Sequence, residues 1–222
     1  MPGLDFLKRI ASRIGIILLL PFGLNAASAA NFIEEAQKLV TAYGCNQCHS
    51  TDGSIVAAGI PRIAGQKYGY LYRQLRHFRV GTVSYRGEIV AIRQHRIMND
   101  VTKRPSVRQL KQIAGFYASR TCVENSMAPA AKPAGVERCE TCHGGERTNP
   151  WQDTPYLGGQ DETYLQRTIQ KLWRSRNSIA GEQERYHRLA EIMFTDADAP
   201  HLDAYATYFA HLPCKGPGAA RR

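Results

Sequence analysis

Two short runs of cysteine and histidine are the residues best suited to chemistry in this chain. Residues 45–49 read Cys-Asn-Gln-Cys-His, and residues 139–143 read Cys-Glu-Thr-Cys-His. On a helical turn, positions i and i+3 share a face and position i+4 lies beside them. The cysteines can then form thioethers to the vinyl groups of a haem, with the histidine beneath the iron, and this spacing signals covalent haem attachment. The predicted haem anchors are Cys45, Cys48, Cys139 and Cys142, and the predicted proximal iron ligands are His49 and His143.

Two other kinds of site use paired cysteines. A zinc site takes four ligands, which two Cys-x-x-Cys motifs could supply, and a thioredoxin-like redox motif is a second alternative. Neither explains a histidine at the same place in both motifs, within a repeat and behind an export signal. Two covalently attached haem c groups are therefore the predicted cofactors.

The two motifs belong to an internal repeat that divides the chain. Matches to residues 61–71 recur 94 positions later, and matches to residues 95–122 recur 92 positions later. The interval between the copies contains Pro129, Pro133 and several alanines, a composition typical of a linker. The predicted organisation is a signal peptide (1–29), an N-terminal domain (30–123), a linker (124–135), a C-terminal domain (136–214) and a flexible tail (215–222).

The hydrophobic pattern predicts helices and contains no long alternating stretch typical of a strand. Ser106 is the expected N-cap of one helix, and Asp198 stands at the matching position in the second half. The predicted helices cover residues 32–43, 68–78, 107–119 and 199–211. Each half is therefore expected to be all-α.

The N-terminus has the pattern of a secretory signal. A basic stretch precedes an apolar run over residues 14–24, and residues 27–29 read Ala-Ser-Ala. The apolar run is shorter than the roughly 20 residues that span a bilayer. We expect cleavage near Ala30 and export to the periplasm, with no transmembrane anchor afterwards.

Together these features resemble the dihaem cytochrome c4 family, in which two class I cytochrome c domains stand in tandem. The resemblance covers nearly the whole chain after the signal. It rests on the haem motifs, on Pro-Arg-Ile-Ala-Gly-Gln (61–66) and Pro-Tyr-Leu-Gly-Gly-Gln (155–160), and on an aromatic last helix in each half. It implies an all-α fold of two domains, each wrapped around one haem c and related by a pseudo-two-fold axis. It also implies that the carbonyls of Pro61 and Pro155 hold the proximal histidines.

Haem carriers of this kind usually place a methionine opposite the proximal histidine. Met1 is the initiator and Met127 lies in the linker, which leaves Met98 and Met193, one in each half. We expect Met98 to bind the iron of the first haem and Met193 that of the second.

The second half departs from the family pattern at this ligand. The repeat position equivalent to Met98 is Ala190, and Met193 stands nearer to the last helix than Met98 does. His187 is therefore a rival sixth ligand of the second haem, and it matches His95 in the repeat. Paired histidine ligands would give that haem a lower potential. Alternatively, both histidines are surface residues beside arginines.

Cys122 and Cys214 remain after haem attachment, at the same repeat position just past the last helix of each half. Leftover cysteines in an exported protein most often pair, so we expect a disulfide between them. The alternatives are two unpaired structural cysteines, or thiolate ligation of a haem as in thiosulfate dehydrogenases.

The resemblance implies electron transfer without substrate chemistry, because protein ligands would fill both axial positions of each iron. The predicted function is a periplasmic dihaem carrier between a respiratory or dehydrogenase donor and an oxidase or reductase, with no catalytic residue. One alternative is a dedicated electron-accepting subunit of a periplasmic dehydrogenase. A less favoured one is a catalytic dihaem enzyme of the thiosulfate dehydrogenase or peroxidase type.

The formal net charge of +10 excludes little by itself. The basic residues lack a recognised nucleic-acid-binding motif, so we expect no nucleic-acid partner. Without the signal, and with four haem propionates, the chain remains modestly basic. That charge suits an acidic redox partner, such as a membrane oxidase or a periplasmic dehydrogenase.

Overall fold

A computed structural model of the chain describes residues 24–85, 88–91, 93–122, 127–143, 154–177, 187 and 189–214. The helices of the first half are α1 (Leu24–Ala42), α2 (Asn46–His49), α3 (Tyr68–Val80), α4 (Arg96–Lys103) and α5 (Val107–Ala118). Those of the second half are α6 (Glu137–His143), α7 (Glu162–Arg174), α8 (Ala190–Met193), a 3₁₀ helix (Asp196–His201) and α9 (Leu202–His211).

Each half encloses a hydrophobic core of its own. In the first half, α5 packs against α1 and α3 and buries Leu110, Ile113 and Phe116 at helical spacing. In the second half, α9 packs against α7 and buries Tyr205 and Phe209. The buried side chains of the two halves form separate clusters, so each repeat organises its own core.

The last helix begins differently in the two halves. Ser106 caps α5 as predicted, because its Oγ accepts a hydrogen bond from Gln109 N at 3.2 Å. In the second half Thr195 is the N-cap, and Asp198 lies inside the 3₁₀ helix rather than before an α-helix. The predicted cap at Asp198 and the predicted helix start at residue 199 are therefore wrong. Pro200 has no N–H to donate, and regular α-helix begins only at Leu202.

Besides helices and loops, the described residues include a short β-hairpin. Strands β1 (Thr82–Tyr85) and β2 (Glu88–Ala91) pair antiparallel, with Thr82 opposite Ala91. Four-residue strands are too short to give a clear alternating pattern, which explains why the sequence did not reveal them.

The segments that the sequence assigned to processing are only partly described. Helix α1 begins at Leu24, inside the predicted signal peptide and before the predicted helix start at residue 32. Residues 1–23, residue 123 at the end of the predicted N-terminal domain, residues 124–126 at the start of the linker, and the predicted tail 215–222 lie outside the described residues. Within the described part of the chain, no helix has the length and apolar character needed to cross a membrane.

The two halves contact each other through equivalent segments. Gln66 pairs with the backbone of Tyr156, accepting from its N–H and donating to its carbonyl at 2.9 Å each. Gln160, the repeat equivalent of Gln66, pairs in the same way with the backbone of Arg62 at 2.6 and 2.9 Å. These reciprocal glutamine contacts give the interface the pseudo-two-fold character that the resemblance implies.

Arg62 breaks the symmetry of this interface. Its side chain is 3% exposed and donates across the interface to the carbonyls of Gly158 and Gly159 at 2.9 and 3.0 Å. Burial lowers its pKa to about 10. The equivalent residue in the other half is Tyr156, whose side chain is uncharged, so the repeat does not reproduce this contact.

Cys122 and Cys214 meet beside this interface. Their Cα atoms are 6.1 Å apart and their sulfurs form a disulfide. Gly159 lies against the bridge with φ +66°, and a Cβ there would come within 2.6 Å of the Cys214 Cβ. Glycine is therefore required at position 159 both by the backbone conformation and by the close approach.

Candidate haem sites

The first haem motif lies at the end of α1 and along α2. His49 is half-buried, and its Nδ1 lies 3.2 Å from the carbonyl of Pro61. Burial lowers the pKa of His49, which favours the neutral imidazole that binds a metal. Burial also raises the pKa of the Cys45 thiol to about 11, whereas Cys48 is exposed.

The second motif repeats this arrangement on α6. His143 Nδ1 lies 2.9 Å from the carbonyl of Pro155. When Nδ1 donates to a carbonyl, the tautomer is set and Nε2 is left as the metal-binding nitrogen. Burial raises the pKa of Cys139 to about 11, and Cys142 is half-buried. Both proximal histidines are thus oriented by the residue that the resemblance implies.

The zinc alternative finds no support in the described geometry. Within those residues, no three His, Cys, Asp or Glu side chains converge as a metal-ion site would require. The four motif cysteines are also not bonded to one another. A cysteine pair and one histidine at each site match the donor set for a covalent haem.

The candidate sixth ligands lie on short helices. Met98 is on the first turn of α4, and Met193 is the last residue of α8; both side chains are half-buried. His95 is the N-cap of α4, and its Nδ1 accepts a hydrogen bond from Met98 N at 3.4 Å. The histidine of the first repeat thus supports the backbone that carries the methionine.

His187, the rival ligand, lies close to the second proximal histidine. The ring centroids of His143 and His187 are 6.2 Å apart, with an interplanar angle of 48°. This separation suits two imidazoles on opposite sides of one metal ion. However, His187 Nδ1 accepts a hydrogen bond from Leu189 N at 3.2 Å, which places the proton of a neutral ring on Nε2.

Arg93 supplies a direct test of whether haem fits between the halves. Its Nη2 donates to the hydroxyl of Tyr164 in the other half at 3.3 Å, and its guanidinium stacks 4.5 Å from the Phe78 ring. Its Nε and Nη1 are buried and have no hydrogen-bond partner among the described residues. Buried polar groups almost always have partners. A carboxylate such as a haem propionate would satisfy both donors.

The sequence places Arg93 in a basic stretch whose arginines are candidates to pair with haem propionates, but it does not single out Arg93 among them. Residues 93–96 read Arg-Gln-His-Arg and residues 185–188 read Arg-Tyr-His-Arg, so the arginine belongs to the repeat. Arg86, another arginine of this basic stretch, and Arg185 lie outside the described residues.

Several known proteins are similar to this chain, although no family model matches it. Cytochrome c4 of Stutzerimonas stutzeri is 28% identical over 172 residues, which are 71% of this chain and 80% of that protein. A thiosulfate dehydrogenase electron acceptor of Thiomonas intermedia is 27% identical over 195 residues, 78% of this chain and 80% of that protein.

A solved structure shows the fold. The crystal structure of reduced recombinant cytochrome c4 from Pseudomonas stutzeri superposes with a TM-score of 0.58 at 22% identity, covering 81% of this chain and 98% of that one. The all-α class of two tandem cytochrome c domains is thereby confirmed, with the hairpin as a local addition. The predicted cofactors, two covalent haem c groups, are confirmed as well. The chain is therefore similar in sequence and in fold to the dihaem cytochromes c4.

Proposed function

We propose that this protein is a periplasmic electron carrier that links a dehydrogenase to a downstream oxidase or reductase. The observation that carries the proposal is the pair of complete attachment motifs, each with its histidine held by a proline carbonyl at 3.2 or 2.9 Å. Each haem, when bound, supplies a one-electron couple at its iron. The Cys122–Cys214 disulfide and the signal pattern support an oxidising compartment.

The chain's own residues orient and bury the haem sites. The carbonyls of Pro61 and Pro155 fix the two imidazoles, and Arg93, where the halves meet, would donate to a haem propionate. The anchors are Cys45, Cys48, Cys139 and Cys142. For the first haem we propose His49 and Met98 as axial ligands, because His95 positions the turn of α4 that bears Met98.

For the second haem we propose His143 and Met193. Support comes from the His187 hydrogen bond, since a ring that accepts at Nδ1 must lose its Nε2 proton before it can bind iron. A His143–His187 pair is the second candidate, and the 6.2 Å ring separation favours it. The two candidates differ in the expected potential, which is lower for paired histidines.

The partner is proposed from the relatives' names. Two relatives are thiosulfate dehydrogenase electron acceptors, from Thiomonas intermedia and Stutzerimonas stutzeri. A dehydrogenase is therefore the proposed electron donor, and a dedicated dehydrogenase subunit is the second form of this function. Co-purification with a larger catalytic subunit would distinguish a dedicated subunit from a free carrier.

Low-temperature EPR of the oxidised holoprotein tests the ligand assignment. We expect two low-spin His/Met signals, with the second lost in Met193→Leu and retained in the control His187→Gln. The reverse pattern would assign the second haem to two histidines. Carbon monoxide titration of the reduced protein tests the carrier function itself. Stoichiometric binding at neutral pH would contradict it, because a carrier has both axial positions filled.

A further inference from the structure

The two halves share a fold but carry opposite charge. Residues 30–123 contain 14 Lys+Arg and 5 Asp+Glu, whereas residues 136–214 contain 8 Lys+Arg and 12 Asp+Glu. The N-terminal half is therefore at +9 and the C-terminal half at −4 before the haems are counted. The basic character of the chain belongs to one domain only.

The inversion is sharpest at equivalent surface positions around the last helices. Arg104 and Lys111 in the first half correspond to Asp196 and Asp203 in the second, and Lys103 corresponds to Thr195. All of these side chains are exposed. Four residues of the first half, Lys103, Arg104, Arg108 and Lys111, are here called the basic surface. Asp100 neutralises little of this positive charge, because its Oδ1 lies 3.8 Å from Lys103 Nζ and both side chains are exposed.

The basic surface adjoins the first haem motif. Arg104 donates to the carbonyl of Tyr43 at 3.0 Å, and its guanidinium lies 5.7 Å from the Tyr43 ring. The positive charge of Arg104 also interacts with Cys45, which follows Tyr43 by two residues. The first haem anchor thus lies beside exposed cations that have no like-charged counterpart in the other half.

The surroundings of the second motif are acidic. Cys139 interacts electrostatically with three carboxylates, those of Asp198, Glu137 and Glu140. Arg138 contributes an opposing positive charge. Asp196, the equivalent of Arg104, is 91% exposed and pairs with Arg176. An acidic protein would therefore be attracted to one end of the molecule and repelled from the other.

We propose that the basic surface docks an acidic electron-transfer protein beside the first haem motif. This inference rests on the electron-transfer function proposed above. It assigns this docking to one of the two haem domains, which neither the repeat nor the shared fold would indicate.

Stopped-flow reduction of plastocyanin, an acidic blue-copper protein, by the reduced holoprotein tests the proposal. At low ionic strength we expect Lys103→Glu/Arg104→Glu to lower the second-order rate constant about tenfold or more, since electrostatic steering contributes 10- to 1000-fold. Lys171→Glu/Arg174→Glu on α7 changes the net charge equally and is the matched control, expected to change the rate less than twofold. The difference between the variants should disappear at high salt.

Three results would overturn the proposal. If both double variants lower the rate constant equally, net charge alone acts. If neither lowers it, the basic surface is not the docking site. Self-association of the native protein that Lys103→Glu/Arg104→Glu abolishes would identify a second copy as the occupant. Haem spectra and reduction by dithionite check the carrier function separately. If they are normal while the rates fail, only the docking inference falls.

Discussion

At the scale of single residues, the candidate haem sites depend on hydrogen bonds that side-chain nitrogens donate. His49 and His143 are oriented by proline carbonyls. The buried Nε and Nη1 of Arg93 have no acceptor among the described residues. Tyr164 fixes the other end of that guanidinium from the opposite half. Arg93 therefore places a fixed positive charge at the domain interface, where a haem propionate would satisfy its two remaining donors.

Arg93→Gln should lower the potential of one haem and leave the other nearly unchanged. Loss of the cation leaves a propionate charge that favours the ferric state, an effect on the order of 1 kcal/mol, or some tens of millivolts. The potential of that haem should also become more dependent on pH. Spectroelectrochemical titration at several pH values measures both effects.

Arg79→Gln is the control for the Arg93 variant, because Arg79 donates to the carbonyl of Pro105 within the same half. Equal potentials in native protein and Arg93→Gln would remove Arg93 from the haem site.

At the scale of elements, the equivalent helix starts are stabilised in different ways. Ser106 makes an exposed capping box with Gln109. Asp198 is buried and accepts hydrogen bonds from Thr195 N at 2.6 Å and Tyr205 Oη at 2.5 Å, besides pairing with Arg138. Tyr205 also donates to the carbonyl of Ala134, so this carboxylate ties the linker and α9 together.

Asp198→Asn should destabilise the holoprotein by roughly 1.5–3 kcal/mol at neutral pH, the value of hydrogen bonds to a charged group. Burial alone would raise the pKa of Asp198, but the bonds from Tyr205 and Thr195 and the charge of Arg138 hold it below its usual value. The stabilisation is therefore present above the ordinary carboxyl pKa and is lost as pH falls through the lowered one.

Urea unfolding from pH 7 into the acid range measures this dependence. The difference in the free energy of unfolding between native protein and Asp198→Asn should shrink as the pH falls. Ser106→Ala, at the equivalent position, should cost about 1 kcal/mol with little pH dependence. A pH-independent loss in Asp198→Asn would contradict the role of the charge.

At the scale of the whole molecule, one interface joins the two haem domains. The reciprocal contacts of Gln66 and Gln160, the buried Arg62 and the Cys122–Cys214 bridge all lie within it. The bridge joins residues 92 positions apart. Two domains of opposite charge are thereby held as one electron-transfer unit.

Cys122→Ser/Cys214→Ser should lower the free energy of unfolding by up to about 4–5 kcal/mol, the chain-entropy value for a loop of this length. We expect the halves to separate before either core unfolds, because each has its own hydrophobic cluster. Haem absorbance and tryptophan fluorescence during urea unfolding follow the two steps. As a check, the native protein can be unfolded, reduced and refolded. Its free energy of unfolding should then equal that of the variant. Unchanged stability would show that the noncovalent interface suffices.

The sequence by itself determined the repeat and predicted the haem anchors and the proximal histidines, because a five-residue motif and its recurrence can be read without knowing the fold. It also placed the capping box of Ser106, which lies within four residues. Tertiary structure decided the partners of Arg93, Gln66 and Gln160. These contacts join residues 71 to 98 positions apart, and no local pattern records which distant backbone a buried side chain meets. Tertiary structure likewise placed the basic surface beside the first haem motif, because Arg104 contacts Tyr43, a residue 61 positions earlier in the chain.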